Sequence, residues 1–201
     1  MTTLHLVRHG ETEWNRARRY QGQTDVPLSE VGREQARKLQ PCLDLTAYDA
    51  LYVSDLKRAA ETADILLDGA SLQRYNDERL REIRLGVFEG LTHEEITAQY
   101  PNTSRSWYGD PNNVPEGAES LDVFAERLRG FMTFIREEYP QGTLLIVAHG
   151  GSISMLTALA LGVEPTKRWQ FRLANTGLSH LTLYDDGAYL ERWNDVSHLT
   201  M

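Results

Sequence analysis

Two segments of this chain carry residues suited to an anion. L-V-R-H-G-E-T-E-W-N (6–15) places Arg8 beside His9 where an apolar run stops, and L-L-I-V-A-H-G-G (144–151) ends the same way in His149. An arginine offers a planar fork of donors that matches phosphate or carboxylate oxygens. An imidazole keeps one nitrogen lone pair at neutral pH, so it can act as a nucleophile. Glycine after each histidine lets the backbone turn sharply and brings N–H groups near a ligand. As strand-end histidines alone, the pair fits two unrelated polar caps equally well; Arg8 tips the reading towards an anion site. Arg58, in S-D-L-K-R-A-A-E-T-A (54–63), opens a helix, and a helix N-terminus already favours anions. Taken alone, Arg58 would pass for a solvated first-turn charge, as its neighbour Lys57 does.

The elements that must position these residues read as follows. Thr3–Val7 is a strand, and Gly10–Pro27 is a long polar loop. A helix starts at Ser29, a good N-cap, and ends at Pro41. Ala50–Val53 is a second strand leading into an amphipathic helix that ends in A-D-I-L-L, and Leu72–Tyr75 a third strand. Asp77–Gly90 reads as loop or short turns, and His93–Tyr100 as a short helix capped by Thr92. Pro101–Gly117, rich in proline and glycine, has no periodicity and reads as a surface flap. Ser120–Tyr139 has helical spacing, Thr143–Ala148 is an apolar central strand, and a small-residue helix runs to Leu161. The tail reads as two strands joined at Asp186-Gly187. Alternating strands and helices imply an α/β sheet with helices on both faces. In open sheets of this kind the ligand lies beyond the carboxyl ends of the strands, where both histidines stand.

With 201 residues, 41% of them hydrophobic and 25% charged, the chain fits one domain spanning 1–201 with an inserted flap at about 101–118. No apolar run approaches a membrane span, and no secretory leader is evident. One cysteine, Cys42, rules out an internal disulfide framework and fits the cytoplasm. The net charge of −8, without a basic run, argues against a nucleic-acid partner. Positive charge for an anionic substrate must therefore be concentrated locally.

L-V-R-H-G-E-T-E-W-N resembles the signature of the histidine phosphatase superfamily, in its phosphoglycerate-mutase-like branch. S-D-L-K-R-A-A-E-T-A, L-R-E-I-R-L-G-V-F-E-G-L-T (80–92), V-A-H-G-G (147–151) and W-N-D-V-S-H-L (193–199) resemble the later segments in the family's order, so the similarity covers nearly the whole chain. It implies a three-layer α/β sandwich with a mostly parallel, mixed central sheet. It also implies that His9 is the nucleophile and forms a phosphohistidine, its other ring nitrogen held by an acceptor such as the Gly10 carbonyl. Arg8, Arg58 and His149 would surround the phosphoryl group, a cluster able to replace a metal ion. Asn15, Gln21, Gly22 and Gly150 would add donors to the substrate. Glu82 would protonate the leaving oxygen and later take a proton from water. As a donor it must itself carry a proton, which a neighbouring phosphate dianion or partial burial would favour. Without the resemblance, Glu11, Glu13, Glu78 and Glu89 are equal candidates for that role.

No H-E-x-x-H or C-x-x-C pattern occurs, so neither a metal nor another cofactor is expected. The expected partner is a small phosphate ester, with no nucleic acid and no membrane; the oligomeric state is not legible. His5 reads as packed, and Asn194, Asp195 and His198 as structural. In mutases of the family, Glu82's segment is followed by a glycine-rich insertion with a lysine and paired arginines. Here G-V-F-E-G-L-T and P-E-G-A-E-S resemble the phosphatases instead, and the flap holds one arginine, Arg105. The primary expectation is a metal-independent phosphatase. A cofactor-dependent phosphoglycerate mutase is the first alternative, and a non-catalytic phosphate- or phosphoprotein-binding module the second. Trp107 and Tyr108 fit either stacking on the substrate's organic group or pinning the flap.

Overall fold

The computed structural model describes residues 1–106, of which 104–106 as backbone only, and 113–200. Trp107 and Tyr108, and the side chain of Arg105, lie outside the described residues. Six strands form one sheet: β1 Thr2–Arg8, β2 Ala50–Val53, β3 Arg74–Asn76, β4 Thr143–Ala148, β5 Leu178–Leu183 and β6 Ala188–Asp195. Their order is β3-β2-β4-β1-β5-β6. The first four are parallel, while β5 runs antiparallel to β1 and to β6.

Alternation along the central strands makes three layers, since successive side chains of a strand point to opposite faces. Leu4, Leu6, Tyr52, Leu144 and Ile146 pack in one core cluster with Phe124, Leu128 and Phe131 of helix α6 (Leu121–Glu138) and Ile153 and Leu156 of helix α7 (Gly150–Ala160). Val7, Leu51, Val53, Leu145 and Val147 pack in another with helices α2 (Glu30–Leu39) and α3 (Lys57–Leu67). This is the three-layer, mostly parallel mixed sheet that the sequence implies. Ser29 caps α2 by accepting from the Gly32 N–H at 3.1 Å, as its residue type suggests.

Three local expectations shift. The polar loop after β1 contains a one-turn helix, α1 (Glu13–Arg16), because Thr12 and Asn15 close a reciprocal capping box. β3 starts two residues later than expected: the chain turns through a left-handed Asp68 (φ 41°), and pairing with β2 begins at Arg74. Leu72 still packs against the core, outside the ladder. After α4 (His93–Gln99), Pro101–Ser106 is helix α5 instead of irregular flap, and proline is well suited to a first helical position.

Register decides where the chemistry goes. Arg8 pairs with Ala148, Val7 with Val147, and Val53 with the same Val147. The three central strands therefore end level, and His9, His149 and Ser54 leave the sheet side by side.

Candidate active site

His9 follows β1, and its backbone N–H donates to the Ala148 carbonyl at 2.9 Å. Its ring Nδ1–H donates to the Gly10 carbonyl at 2.7 Å, which leaves the lone pair on Nε2. The residue is 3% exposed. Burial, and then Arg58 and Arg8, hold its pKa well below the usual imidazole value, so the ring is neutral. The turn beyond it is tied to α3: the Gly10 N–H donates to Thr62 Oγ1 at 3.0 Å, and that hydroxyl donates to the Arg58 carbonyl at 2.7 Å.

His149 faces His9 with ring centroids 5.2 Å apart and planes at 60°. Arg58 Nε donates to its Nδ1 at 3.1 Å, and its Nε2–H donates to Ser54 Oγ at 2.7 Å. Burial, then Arg58, lowers its pKa too. Arg58 is fully buried at the start of α3, its other nitrogens donating to the Thr24 (2.9 Å) and Gly22 (2.7 Å) carbonyls. Burial lowers its pKa to about 10, which leaves it cationic at neutral pH. Arg8 Nη1 donates to the Leu173 carbonyl at 2.5 Å, while its Nε is buried with no protein acceptor. Burial depresses the Arg8 pKa, and Glu82 opposes the shift.

The Glu82 carboxylate accepts from two backbone amides, Gly151 N–H at 2.8 Å and Ile83 N–H at 2.9 Å. A Cβ at position 151 would overlap that carboxylate, so only glycine permits the contact. Glu82's own carbonyl accepts from Gln23 Nε2 (3.0 Å) and Arg127 Nη2 (3.3 Å). Arg127 also donates to the Arg79 and Arg81 carbonyls and to Glu119, so α6 holds the segment like a clamp.

Around these groups lies a crevice of about 250 Å³. Of the residues expected from sequence, Arg8, His9, Asn15, Gln21, Gly22, Arg58 and Glu82 line it. His149 stands behind Arg58. Gly150 lies against Arg8 Nε and faces a neighbouring cavity; the glycine on the crevice wall is Gly151. Asn15 Oδ1 accepts from Thr12 N–H (3.1 Å), Thr12 Oγ1 (3.2 Å) and Asn175 Nδ2 (3.3 Å), which leaves its Nδ2 as the donor for a ligand. Gln21 Oε1 is buried without a protein donor. Arg19 and Arg168 also line the crevice, so among the described residues four arginines and one carboxylate face it, in a chain of net charge −8. Among the described residues, no group of three or more His, Cys, Asp or Glu side chains is placed to hold a metal ion.

Four supporting residues escaped the reading of the sequence, Ser54, Thr62, Arg127 and Asn175, and Glu89, named there only as a candidate acid, has a supporting role instead. Glu89 accepts from the Gln23 (3.1 Å), Thr24 (2.9 Å) and Leu85 (2.9 Å) amides and so fixes the loop carrying Gly22. Gly22 has φ +53°, and a Cβ there would strike the Glu89 carboxylate. The tail acts at a distance: His198 Nε2 meets Thr176 Oγ1 at 2.9 Å, and the Thr176 N–H donates to the Arg8 carbonyl at 3.0 Å.

Comparison with known proteins places this geometry. The model of the histidine phosphatase superfamily (branch 1) matches residues 4–196. Phosphoserine phosphatase 1 of Hydrogenobacter thermophilus is 34% identical over 200 residues, covering 99% of this chain and 95% of that one. Phosphoglycerate mutase-like protein 4 of Arabidopsis thaliana is 35% identical over 199 residues, covering 96% and 85%. Among solved structures, YhfR of Bacillus stearothermophilus superimposes with a TM-score of 0.90 at 35% identity, covering 99% and 100%.

Proposed function

This chain belongs to the histidine phosphatase superfamily and is a phosphatase; we propose that it hydrolyses the phosphomonoester of a small metabolite through a phosphohistidine at His9, without a metal ion. The observation that carries the reading is the state of His9. Its Nδ1–H is committed to the Gly10 carbonyl, and burial between two arginines keeps the ring neutral with the lone pair on Nε2.

Nε2 attacks phosphorus, and the bond to the leaving oxygen breaks as Glu82 delivers a proton to that oxygen. Water then attacks the phosphohistidine, Glu82 takes its proton, the N–P bond breaks and inorganic phosphate leaves. Arg8 and Arg58 compensate the charge on the equatorial oxygens, Asn15 Nδ2 and Arg8 Nε donate to them, and His149 orients the Arg58 guanidinium from behind. Stabilisation of this kind is the main demand of phosphoryl transfer. The two buried arginines supply the neutralisation that a metal gives elsewhere, and they repel a cation. A single cysteine supports a cytoplasmic setting.

A screen of phosphorylated metabolites, with and without exhaustive chelation and beside a bisphosphoglycerate-dependent mutase assay, tests the reading. Release of inorganic phosphate that survives chelation is expected. Mutase turnover without hydrolysis would assign the phosphoryl group's return to substrate instead, and loss rescued by zinc or magnesium would refute the metal-free route.

A further inference from the structure

Next to the catalytic crevice lies a second cavity of about 330 Å³, within the size range of small-molecule sites. The two share Gly151 and Arg168 as wall residues. Phe171, Leu173 and Ser154 line the second cavity, and Trp169 belongs to its rim. Trp169 is 58% exposed, so most of a large apolar ring is spent facing solvent beside the reaction centre.

The wall beneath that indole is firmly built. Ser154 Oγ lies within hydrogen-bonding distance of the Phe171 (2.5 Å) and Gly150 (2.6 Å) carbonyls, which fastens the turn Pro165–Gln170 and its exit to α7. The Phe171 ring meets Trp193 edge-on at 5.6 Å, and Trp193 Nε1–H donates to the Arg172 carbonyl at 2.8 Å. Trp169 thus stands on a fixed platform.

Direction of transfer connects this cavity to the reaction. Nucleophile and leaving oxygen lie roughly in line across phosphorus. With His9 on one side, the leaving oxygen sits by the Glu82 carboxyl, which the Gly151 N–H holds at 2.8 Å. Gly151 and Arg168 belong to both cavities, so a group attached to the leaving oxygen has a path past them into the second one.

We propose that this second cavity is the leaving-group subsite, and that it takes a planar aromatic ring stacked on Trp169. The proposal rests on the phosphatase reading and narrows its substrates to phosphate esters carrying an aryl or heteroaryl group near the ester oxygen. Arg172 at the rim adds a cation able to meet the electron-rich ring or a polar substituent.

The test compares 2-naphthyl phosphate with glycerol 3-phosphate as substrates of the wild type, Trp169→Ala, Trp169→Phe and the remote control Tyr189→Ala. Stacking on an aromatic side chain is worth about 0.5–1.5 kcal/mol, so Trp169→Ala should lower the naphthyl-to-glycerol ratio of kcat/KM by about 2- to 10-fold. Most of that ratio should return in Trp169→Phe, and Tyr189→Ala should keep the wild-type ratio. A ratio unmoved by Trp169→Ala, with hydrolysis intact, overturns the subsite and leaves the phosphatase reading standing. Folded wild type that hydrolyses neither ester, nor any other phosphomonoester offered, overturns both.

Discussion

Arg58 Nε donates to His149 Nδ1 at 3.1 Å, and this contact sets the state of both side chains. A nitrogen that accepts from a guanidinium carries no proton, so His149 is neutral with its hydrogen on Nε2, where Ser54 Oγ receives it at 2.7 Å. Arg58 is in turn oriented across the floor of the crevice. Sheet register brings Ser54 to that position, since β2 and β4 end level at Val53 and Val147.

Ser54→Ala should therefore act through His149. A buried N–H left without an acceptor costs about 1–3 kcal/mol. We expect kcat/KM to fall roughly tenfold, the scale of 1.4 kcal/mol. The ¹⁵N shifts of His149 should move away from the Nε2–H tautomer, and Ser54→Thr should restore them. Unchanged shifts with a tenfold loss would assign Ser54 a packing role only.

Asn175 offers a second test. Its Nδ2 donates to the His9 carbonyl at 3.0 Å and to Asn15 Oδ1 at 3.3 Å, which fixes the Asn15 amide with its donor towards the crevice. Asn175→Ala should raise the inhibition constant of inorganic phosphate, and it should do so much less when Asn15 is already alanine. Groups in contact couple by about 0.5–3 kcal/mol in such a cycle. Strictly additive effects would separate the two residues.

The Glu82–Gly151 contact predicts a dependence on leaving group. Glu82→Gln removes the proposed proton donor, and Gly151→Ala forces the carboxyl away from its place. Both should slow alkyl phosphates by about 10²- to 10⁴-fold, the usual worth of a positioned acid. Nitrophenyl phosphate, whose leaving group needs no proton, should lose far less. Equal losses for both substrates would point to another acid.

Away from the site, His5 and His180 stack at 3.8 Å with planes 5° apart, and His5 Nδ1 meets the Tyr48 hydroxyl at 2.7 Å. Burial, then His180, lowers the His5 pKa to about 4, with Glu191 opposing and Arg192 assisting; burial and Arg192 lower that of His180. Both rings are thus neutral in the fold yet free to protonate when unfolded. Above the unfolded value near 6.5 their contribution is intact, and it is lost progressively as pH falls towards 4. Urea midpoints should drop between pH 7 and 5, and His5→Phe should flatten that drop. An equal slope in the variant would place the acid sensitivity elsewhere.

Much of the candidate site was legible in the sequence because both of its histidines follow strand ends with local signatures. R-H-G and V-A-H-G-G each mark where an apolar run stops, and parallel register does the rest. Glu82 was legible only through family resemblance: its setting depends on Gly151, sixty-nine residues away, and on the Arg127 clamp from α6. The supporting roles of Thr62, Glu89 and Asn175 gave no signal, since a polar side chain acting on another segment's backbone has no periodicity of its own. Which of the two adjacent glycines lines the crevice is hidden for the same reason, as Gly150 and Gly151 at a helix start differ only in which way their N–H groups point. α1 was missed because a one-turn helix has no apolar stripe to betray it.

The most direct test of the mechanism is rapid quenching of the enzyme with a labelled phosphate ester, followed by peptide mapping of the trapped protein. The label should be acid-labile and alkali-stable, lie on the Nε2 nitrogen of His9, and vanish in His9→Ala together with turnover. Label on another residue, or undiminished hydrolysis by His9→Ala, would contradict attack by His9.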